Sequence, residues 1–281
     1  MMKAFIKITT IVWLLPFHLF SQQEINRTKY FPAEKSFPNQ SPAKKNTWVF
    51  ILAGQSNMAG RGMVEPQDTL PDQRIFSIDQ NGKLVYAKEP LNLFEPSYAG
   101  LDCGYSFAKT MLKKIPARIN IVVIHAAVGG SSIRQWIDDS THRNVQLLSN
   151  FKEKVEIAKK YGTIKGILWH QGESDANQKR IPLYRDNLNI LFNKLRTIVN
   201  NPQLPIVMGE LGSFSKDPIS FEAINSIIRN YPQTDPFASF IKTGDLTHKG
   251  DSLHFNSVGQ RTMGERYANE FWGKFYSERN K

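Results

Sequence analysis

Short apolar runs alternate along the chain with longer segments in which apolar side chains recur every three or four residues. Runs of the first kind predict buried strands at residues 48–53, 119–127, 164–169, 205–211 and 240–242. Segments of the second kind predict helices at residues 104–112, 144–161, 181–199, 221–229 and 257–272. Because strands and helices alternate, we expect an α/β protein with three α/β/α layers and a central parallel sheet with right-handed crossovers.

The segment between Gly60 and Gly104 interrupts this alternation and contains one hairpin signal. Asn81 and Gly82 lie between apolar positions of residues 74–86. This dipeptide predicts a type I′ turn, which needs positive φ at both of its central residues. A segment this long beside a polar strand end is typical of a substrate-binding wall.

The amino-terminal residues are typical of an export signal. Lys3 and Lys7 precede an apolar stretch at residues 8–20, which is too short to span a bilayer comfortably. We therefore predict a signal peptide at residues 1–21, an extended leader at residues 22–46 and a single domain at residues 47–281, with export to the periplasm or the medium. The cleavage region is imperfect, which leaves an uncleaved anchor as the alternative. No second long apolar run follows, so we expect no stable membrane insertion.

Composition limits the classes of partner. The 281 residues are 41% hydrophobic, enough for one substantial core. The net charge is +11, but the basic residues are scattered, which disfavours a nucleic-acid partner. Cys103 is the only cysteine, so no internal disulfide can form, and we interpret it as a packed residue. His125, His142 and His248 have no metal-ligand spacing, and we expect neither a metal nor a cofactor.

Polar or glycine-rich turns follow the first three predicted strands. They contain Ser56, the pair at residues 129–130, and residues 170–175, and all should meet at the carboxyl edge of the sheet, where ligands bind in such folds. Asp251 precedes His254 by three residues. Such a carboxylate can accept the Nδ1–H of the imidazole and leave Nε2 free as a base towards a serine. Each pattern alone also suits an ordinary turn or helix cap.

Together the motifs resemble the SGNH-hydrolase superfamily, and more closely its sialate O-acetylesterase-like group, which includes carbohydrate esterase family six. The resemblance implies a flavodoxin-like α/β fold. It rests on Gly-Gln-Ser-Asn-Met-Ala-Gly at residues 54–60, Gly104 with Phe107 and Ala108, Gly-Gly-Ser-Ser-Ile at residues 129–133 with Trp136, Trp-His-Gln-Gly-Glu-Ser-Asp at residues 169–175, and Asp251 with His254. Tyr105 departs from the pattern, because the group often has proline at that place.

The resemblance implies a role for each matching residue. Ser56 would be the nucleophile, His254 the general base and then acid, and Asp251 the residue that orients the histidine. The N–H groups of Ser56 and Gly104 and the side-chain amide of Gln171 would form the oxyanion hole. An ester requires these components: an activated hydroxyl, a base within reach and donors for the tetrahedral intermediate.

Several residues keep more than one interpretation at this point. Glu173 either assists His254 or bonds neighbouring turns, and Asn57 is a further candidate for a supporting role. Trp136 and Trp169 are either core residues or platforms for a sugar ring.

We therefore expect a serine esterase that removes acetyl groups from a carbohydrate, such as acetylated xylan or sialic acid, with an acetylated glycan as its partner. One alternative is a non-catalytic carbohydrate-binding module on the same fold. Another is a lipase or thioesterase of the superfamily, which would require a continuous apolar channel. The sequence leaves the oligomeric state open.

Overall fold

A seven-stranded sheet forms the centre of residues 27–277, the part of the chain that the computed structural model describes. The predicted signal peptide lies outside these residues. The strands in chain order are β1 (Thr47–Gly54), β2 (Ile75–Ile78), β3 (Leu84–Tyr86), β4 (Asn120–His125), β5 (Thr141–His142), β6 (Val145–Gln146), β7 (Thr163–His170), β8 (Ile206–Gly209) and β9 (Ala238–Ile241). The main sheet has the order β3-β2-β4-β1-β7-β8-β9, and β5 pairs with β6 separately. Within the main sheet every pair is parallel except the antiparallel edge pair β2–β3.

Helices cover both faces of this sheet. They are α1 (Ser56–Ala59), α2 (Gly104–Leu112), α3 (Ile133–Ile137), α4 (Leu147–Tyr161), α5 (Ile181–Val199), α6 (Pro218–Asn230) and α7 (Ser257–Phe271). Side chains of α3 to α6 belong to one hydrophobic core, and side chains of α2 and α7 belong to the other. The predicted three-layer α/β/α fold is therefore confirmed, with one antiparallel strand at an edge of the parallel sheet.

Strand β1 connects the two cores because successive side chains of a strand point to opposite faces. Val49 and Ile51 pack into the first core, whereas Phe50 and Leu52 pack into the second. All eight residues of the strand are buried, as expected for a central strand paired on both sides.

Gly54 ends β1 in a backbone conformation that requires glycine. Its φ is +132°, and a Cβ at this position would lie 2.1 Å from the carbonyl oxygen of His170. The next residue, Gln55, donates its N–H to that same oxygen at 2.9 Å. The chain can therefore turn sharply from the strand into α1 while remaining bonded to β7.

The predicted hairpin exists, but its predicted type I′ turn is wrong. Gly82 has a φ of +73°, whereas Asn81 does not adopt a positive φ. The Oδ1 atom of Asp79 accepts the N–H groups of Asn81 and Lys83 at 2.9 and 2.8 Å. The strands are therefore joined by a longer loop than a two-residue turn. The N–H of Asp79 closes this loop by donating to the Lys83 carbonyl at 2.8 Å.

The helix predicted at residues 144–161 begins later, at Leu147. Arg143 and Asn144 have φ values of +49° and +62°, so the chain turns there between β5 and β6. Helix α3 was not predicted. Its start carries a capping box in which the Ser132 side chain and the Gln135 side chain each accept the other residue's backbone N–H.

The described part of the leader forms several hydrogen bonds with the domain. The Ser36 carbonyl accepts the N–H of Tyr86 at 2.8 Å, next to β3. Arg27 donates to the carbonyl of Ala99 at 2.5 Å. Within residues 27–277, no helix is both long enough and apolar enough to cross a membrane.

Candidate active site

Ser56 lies at the carboxyl end of the central strand, as the first residue of α1. The residue is 7% exposed. Since the first N–H groups of a helix have no acceptor within it, the Ser56 N–H is available to an atom outside the helix. A substrate oxygen beside the hydroxyl would meet this donor.

His254 links Ser56 to Asp251, although the three residues come from opposite ends of the domain. The Nε2 atom of His254 lies 3.0 Å from the Ser56 Oγ. Its Nδ1 atom lies 2.7 Å from the Oδ2 atom of Asp251. The second carboxylate oxygen of Asp251 accepts the backbone N–H groups of His254 and Leu253 at 2.8 and 3.0 Å. One carboxylate therefore shapes the turn and orients the imidazole within it.

The electrostatics favour a neutral His254 whose free lone pair faces the serine. An ionised Asp251 can only accept at this distance, so the imidazole carries its proton on Nδ1. Burial lowers the pKa of His254, the Asp251 carboxylate partly offsets this effect, and the cations Lys249 and Arg61 lower the pKa further. Burial alone would raise the pKa of the Asp251 carboxyl, yet the hydrogen bonds from the turn bring it below its usual value. A base with this protonation state can take the serine proton at neutral pH.

Asn57 connects the serine turn to the histidine turn. Its side-chain oxygen accepts the N–H of Phe255 at 3.1 Å, and its Nδ2 donates to the carbonyl of Leu253 at 3.1 Å. The same Nδ2 donates to Glu173 at 2.6 Å. Asn57 is 1% exposed. Its side chain thus holds the residues on both sides of His254 in register with Ser56.

Glu173 joins neighbouring turns in this structure. One of its carboxylate oxygens accepts the Asn57 bond and lies 3.6 Å from the Nδ1 atom of His170. The other oxygen is buried without a hydrogen-bond partner. No hydrogen bond joins Glu173 to His254, whose Nδ1 bonds Asp251 instead. Of the two roles considered for Glu173 from the sequence, this arrangement matches the bonding of neighbouring turns.

The other two predicted oxyanion donors already have acceptors. The N–H of Gly104 donates to Oδ1 of Asp102 at 2.5 Å. The side chain of Gln171 is fully buried. Its Nε2 atom has three acceptors within 3.2 Å, on Asp175, Gln55 and Ser131. The roles of Gly104 and Gln171 remain predictions, and each would require an exchange of hydrogen-bond partner during the reaction.

A cluster of charged residues beside the site was not predicted from the sequence. Arg61 donates to Glu95 at 2.7 Å, and the same carboxylate accepts from Arg143 and from the N–H of Gly129 at 2.8 Å. Both guanidinium groups lie against Tyr98, which is 58% exposed. The predicted wall between residues 60 and 104 therefore does border the glycine turn after β4. The paired residues are far apart in the chain, so local spacing carries no signal for them.

The remaining candidates pack inside the domain. Trp136 and Trp169 are buried, with ring centroids 5.5 Å apart, so both are core residues rather than sugar platforms. Cys103 is also buried, and burial raises the pKa of its thiol well above the usual value. His170 is buried, and its Nε2 atom lies 2.9 Å from the carbonyl oxygen of Glu210. Among residues 27–277, no group of three or more His, Cys, Asp and Glu could hold a metal ion.

Comparison with known proteins places the chain in a family. The profile of the family of carbohydrate esterases described as sialic acid-specific acetylesterases matches residues 46–273. A probable carbohydrate esterase of Arabidopsis thaliana is 27% identical over 265 residues, which cover 87% of this chain and 97% of that protein. The chain therefore belongs to this family of carbohydrate esterases, and it is a carboxylic ester hydrolase.

Solved structures share the fold. A crystal structure of an Arabidopsis thaliana protein matches with a TM-score of 0.72 at 25% identity, covering 82% of this chain and 99% of that one. The crystal structure of NanS matches with a TM-score of 0.67 at 17% identity, covering 85% and 99%. A carbohydrate acetylesterase from Xanthomonas citri matches with a TM-score of 0.63 at 18% identity, covering 81% and 56%. The fold predicted from the SGNH resemblance is thus confirmed.

Proposed function

We propose that this esterase removes O-acetyl groups from carbohydrates, with Ser56, His254 and Asp251 as its catalytic residues. The observation that carries the proposal is the hydrogen-bonded chain from the Ser56 hydroxyl through His254 to Asp251, with distances of 3.0 and 2.7 Å. This chain lies at the sheet edge where α/β folds bind their ligands. It contains the nucleophile, base and orienting acid that acyl transfer through a serine requires.

The reaction would proceed in two halves. In the first half, Nε2 of His254 takes the Ser56 proton while Oγ forms a bond to the carbonyl carbon of the acetyl ester. The tetrahedral intermediate then breaks its bond to the sugar oxygen, which receives the proton from His254. In the second half, His254 takes a proton from water as the water oxygen attacks acetyl-Ser56. The His254 proton then returns to Oγ as acetate leaves, and the free serine is restored.

The negative charge that develops on the carbonyl oxygen needs donors that are in place beforehand. We assign the Ser56 N–H to this role because it begins α1 and has no acceptor within the helix. Gly104 and Gln171 are the further donors that we propose, after they exchange partners. The acceptor that Gln171 would leave is the Asp175 carboxyl, whose pKa is raised by burial.

The proposal that the acyl group is acetyl and that the substrate is a sugar rests on the family and not on a bound ligand. The family is described as acetylesterases specific for sialic acid, and the matching Xanthomonas citri protein is described as a carbohydrate acetylesterase. We therefore propose acetylated xylan or acetylated sialic acid as the substrate class. From the amino-terminal sequence, we also propose export through the predicted signal peptide. N-terminal sequencing of the protein from the culture medium or periplasm tests this; recovery only in the cytoplasm with Met1 intact would contradict it.

A panel of esters tests the activity. The purified protein is incubated with p-nitrophenyl acetate and its longer-chain homologues, and then with acetylated xylan and acetylated sialic acid, while acetate release is measured. We expect hydrolysis of p-nitrophenyl acetate to decline as the acyl chain lengthens, and acetate release from at least one glycan. A preference for long acyl chains would instead identify a lipase, and binding of the glycans without hydrolysis would identify a binding module.

A further inference from the structure

A polar groove lies beside the catalytic turn, and none of the proposed catalytic residues or oxyanion donors lines it. Its volume is about 760 Å³, within the range of about 300–1,000 Å³ that is usual for ligand sites. Helix α3, strand β5, the turn after β7 and the first turns of α5 form its walls. The lining residues are Gly130, Ser132, Arg134, Gln135, Asp138, Ser140, His142, Ser174, Asp175, Arg180, Leu183, Asp186 and Asn187.

One end of the groove adjoins the nucleophile turn. Ser174 donates its backbone N–H to the side chain of Gln55 at 3.2 Å, and its hydroxyl donates to the carbonyl of Gly130 at 2.9 Å. Gln55 immediately precedes Ser56 in the chain. A ligand whose ester group reaches Ser56 can therefore continue past Ser174 into the groove.

The wall formed by α3 and β5 is held in place by its own hydrogen bonds. Ser132 donates its N–H to the side-chain oxygen of Gln135 at 2.9 Å. The Nε2 of Gln135 lies 3.3 Å from Nδ1 of His142, whose Nε2 lies 3.0 Å from the carbonyl oxygen of Gly129. A ligand would meet a wall that is already formed, so little ordering of side chains opposes binding.

The groove has no excess of positive charge, because two arginines and three aspartates line it. Arg134 is paired with Asp138 at 2.6 Å, and Arg180 donates to the carbonyl of Ser174 at 2.7 Å. Asp186 and Asn187 form no side-chain hydrogen bond or ion pair with any other residue of the described chain, so their polar atoms face solvent or a ligand. Walls with free polar groups, no excess of positive charge and no long apolar surface suit an uncharged ligand with many hydroxyl groups.

Leu183 adds the only large apolar contact among the lining residues, and its side chain is 57% exposed. Sugar rings combine hydroxyl groups at the edge with C–H groups on the face. A wall with Asn187 and Asp186 near one exposed leucine offers a partner for both kinds of group.

We propose that this groove binds the uncharged sugar units of a glycan chain that extend beyond the acetylated unit at Ser56. The proposal rests on the proposed function and deepens it, because it makes the preferred substrate an oligosaccharide or polysaccharide rather than a single acetylated sugar.

The test compares a double variant in the groove with a control variant on the same helix. Asn187→Ala, combined with Asp186→Ala, removes the free polar groups from the groove. Asn189→Ala removes an asparagine side chain two residues further along α5, at an exposed position that does not line the groove. The substrates are p-nitrophenyl acetate and partially acetylated hexasaccharides of xylose, mannose and glucose, each followed by initial rates of deacetylation.

We expect the double variant to lose about tenfold in kcat/KM on the preferred hexasaccharide, mainly through a higher KM, since two hydrogen bonds to the ligand are lost. Its kcat/KM on p-nitrophenyl acetate should equal that of the wild type, and Asn189→Ala should leave both substrates unaffected. An equal loss on both substrates, or no loss on any hexasaccharide, would overturn the proposal.

Failure of the proposed function gives a different pattern. If the wild type hydrolyses none of the acetyl esters, calorimetric titration with the unacetylated hexasaccharides still examines the groove. Heat of binding that is lost in the double variant and kept in Asn189→Ala would support the groove without the activity. Absence of binding by the wild type to all three hexasaccharides, in a protein that hydrolyses p-nitrophenyl acetate, would reject the groove while leaving the esterase intact.

Discussion

Replacing Asp251 with asparagine tests how the histidine is held in its active tautomer. In the wild type, one carboxylate oxygen accepts two backbone N–H groups and the other accepts the Nδ1–H of His254. An amide has only one oxygen. In either orientation of the asparagine, its NH₂ group must therefore face a donor, either the backbone of the turn or the imidazole. The imidazole can avoid this conflict by moving its proton to Nε2, and it then cannot accept the proton of Ser56.

The expected loss of turnover in Asp251→Asn follows from the hydrogen bonds that the variant loses. A hydrogen bond to a charged group contributes about 1.5–3 kcal/mol, and an unsatisfied donor costs about 1–3 kcal/mol. The sum of about 2.5–6 kcal/mol corresponds to roughly 10²- to 10⁴-fold in rate. Because the Asp251 side chain is 36% exposed, water offsets part of this loss. We therefore expect kcat to fall by on the order of 10³-fold with KM little changed.

Glu173→Gln is the matched control. It also changes a carboxylate to an amide, but the amide oxygen can still accept the bond from Asn57. We expect its kcat to fall by less than about tenfold. The assay is the steady-state hydrolysis of p-nitrophenyl acetate, with thermal unfolding followed by circular dichroism to establish that both variants are folded. If Glu173→Gln is the slower enzyme, or if Asp251→Asn keeps near-normal turnover, the assignment of the acid is wrong.

Three further substitutions test other parts of the site. Asn57→Ala removes the bonds that hold both neighbours of His254, so kcat should fall by at least about tenfold while KM changes little; unchanged steady-state kinetics would exclude the positioning role. Lys249→Gln removes a cation that lowers the pKa of His254, so that pKa should rise and the acidic limb of the kcat/KM profile should move to higher pH; a shift to lower pH would contradict this sign. Gln171→Ala leaves buried acceptors unsatisfied and should lower the free energy of unfolding in urea by about 1–3 kcal/mol. If kcat then stays normal in the folded variant, Gln171 is not an oxyanion donor.

The sequence predicts best those parts of the fold that a local pattern controls. Helix α5 has the predicted bounds because its apolar residues keep helical spacing without interruption from Ile181 to Val199. Helix α7 begins at Ser257 as predicted, and Asn256 caps it by accepting the N–H of Gly259 at 2.8 Å. Ser56, His254 and Asp251 also meet, because parallel strands bring their carboxyl ends to one edge.

The sequence predicts less well where side chains decide the backbone path or act across the chain. The carboxylate of Asp79 changes the hairpin turn, and positive φ values at Arg143 and Asn144 replace the first turn of a predicted helix. Helix α3 has a local signal in Ser132 and Gln135 that a search for capping boxes would find. The bonds of Asn57 to the histidine turn join residues almost 200 positions apart in the chain, which no local pattern can indicate.

Turnover by Ser56→Ala tests the central claim most directly. Removing Oγ takes away the atom that attacks the ester, while the alanine keeps the backbone N–H at the start of α1. The variant should fold as the wild type does and lose p-nitrophenyl acetate hydrolysis by on the order of 10⁴-fold or more, with a weak residual rate from the remaining oxyanion donors. Turnover close to that of the wild type in a folded Ser56→Ala protein would contradict the serine mechanism.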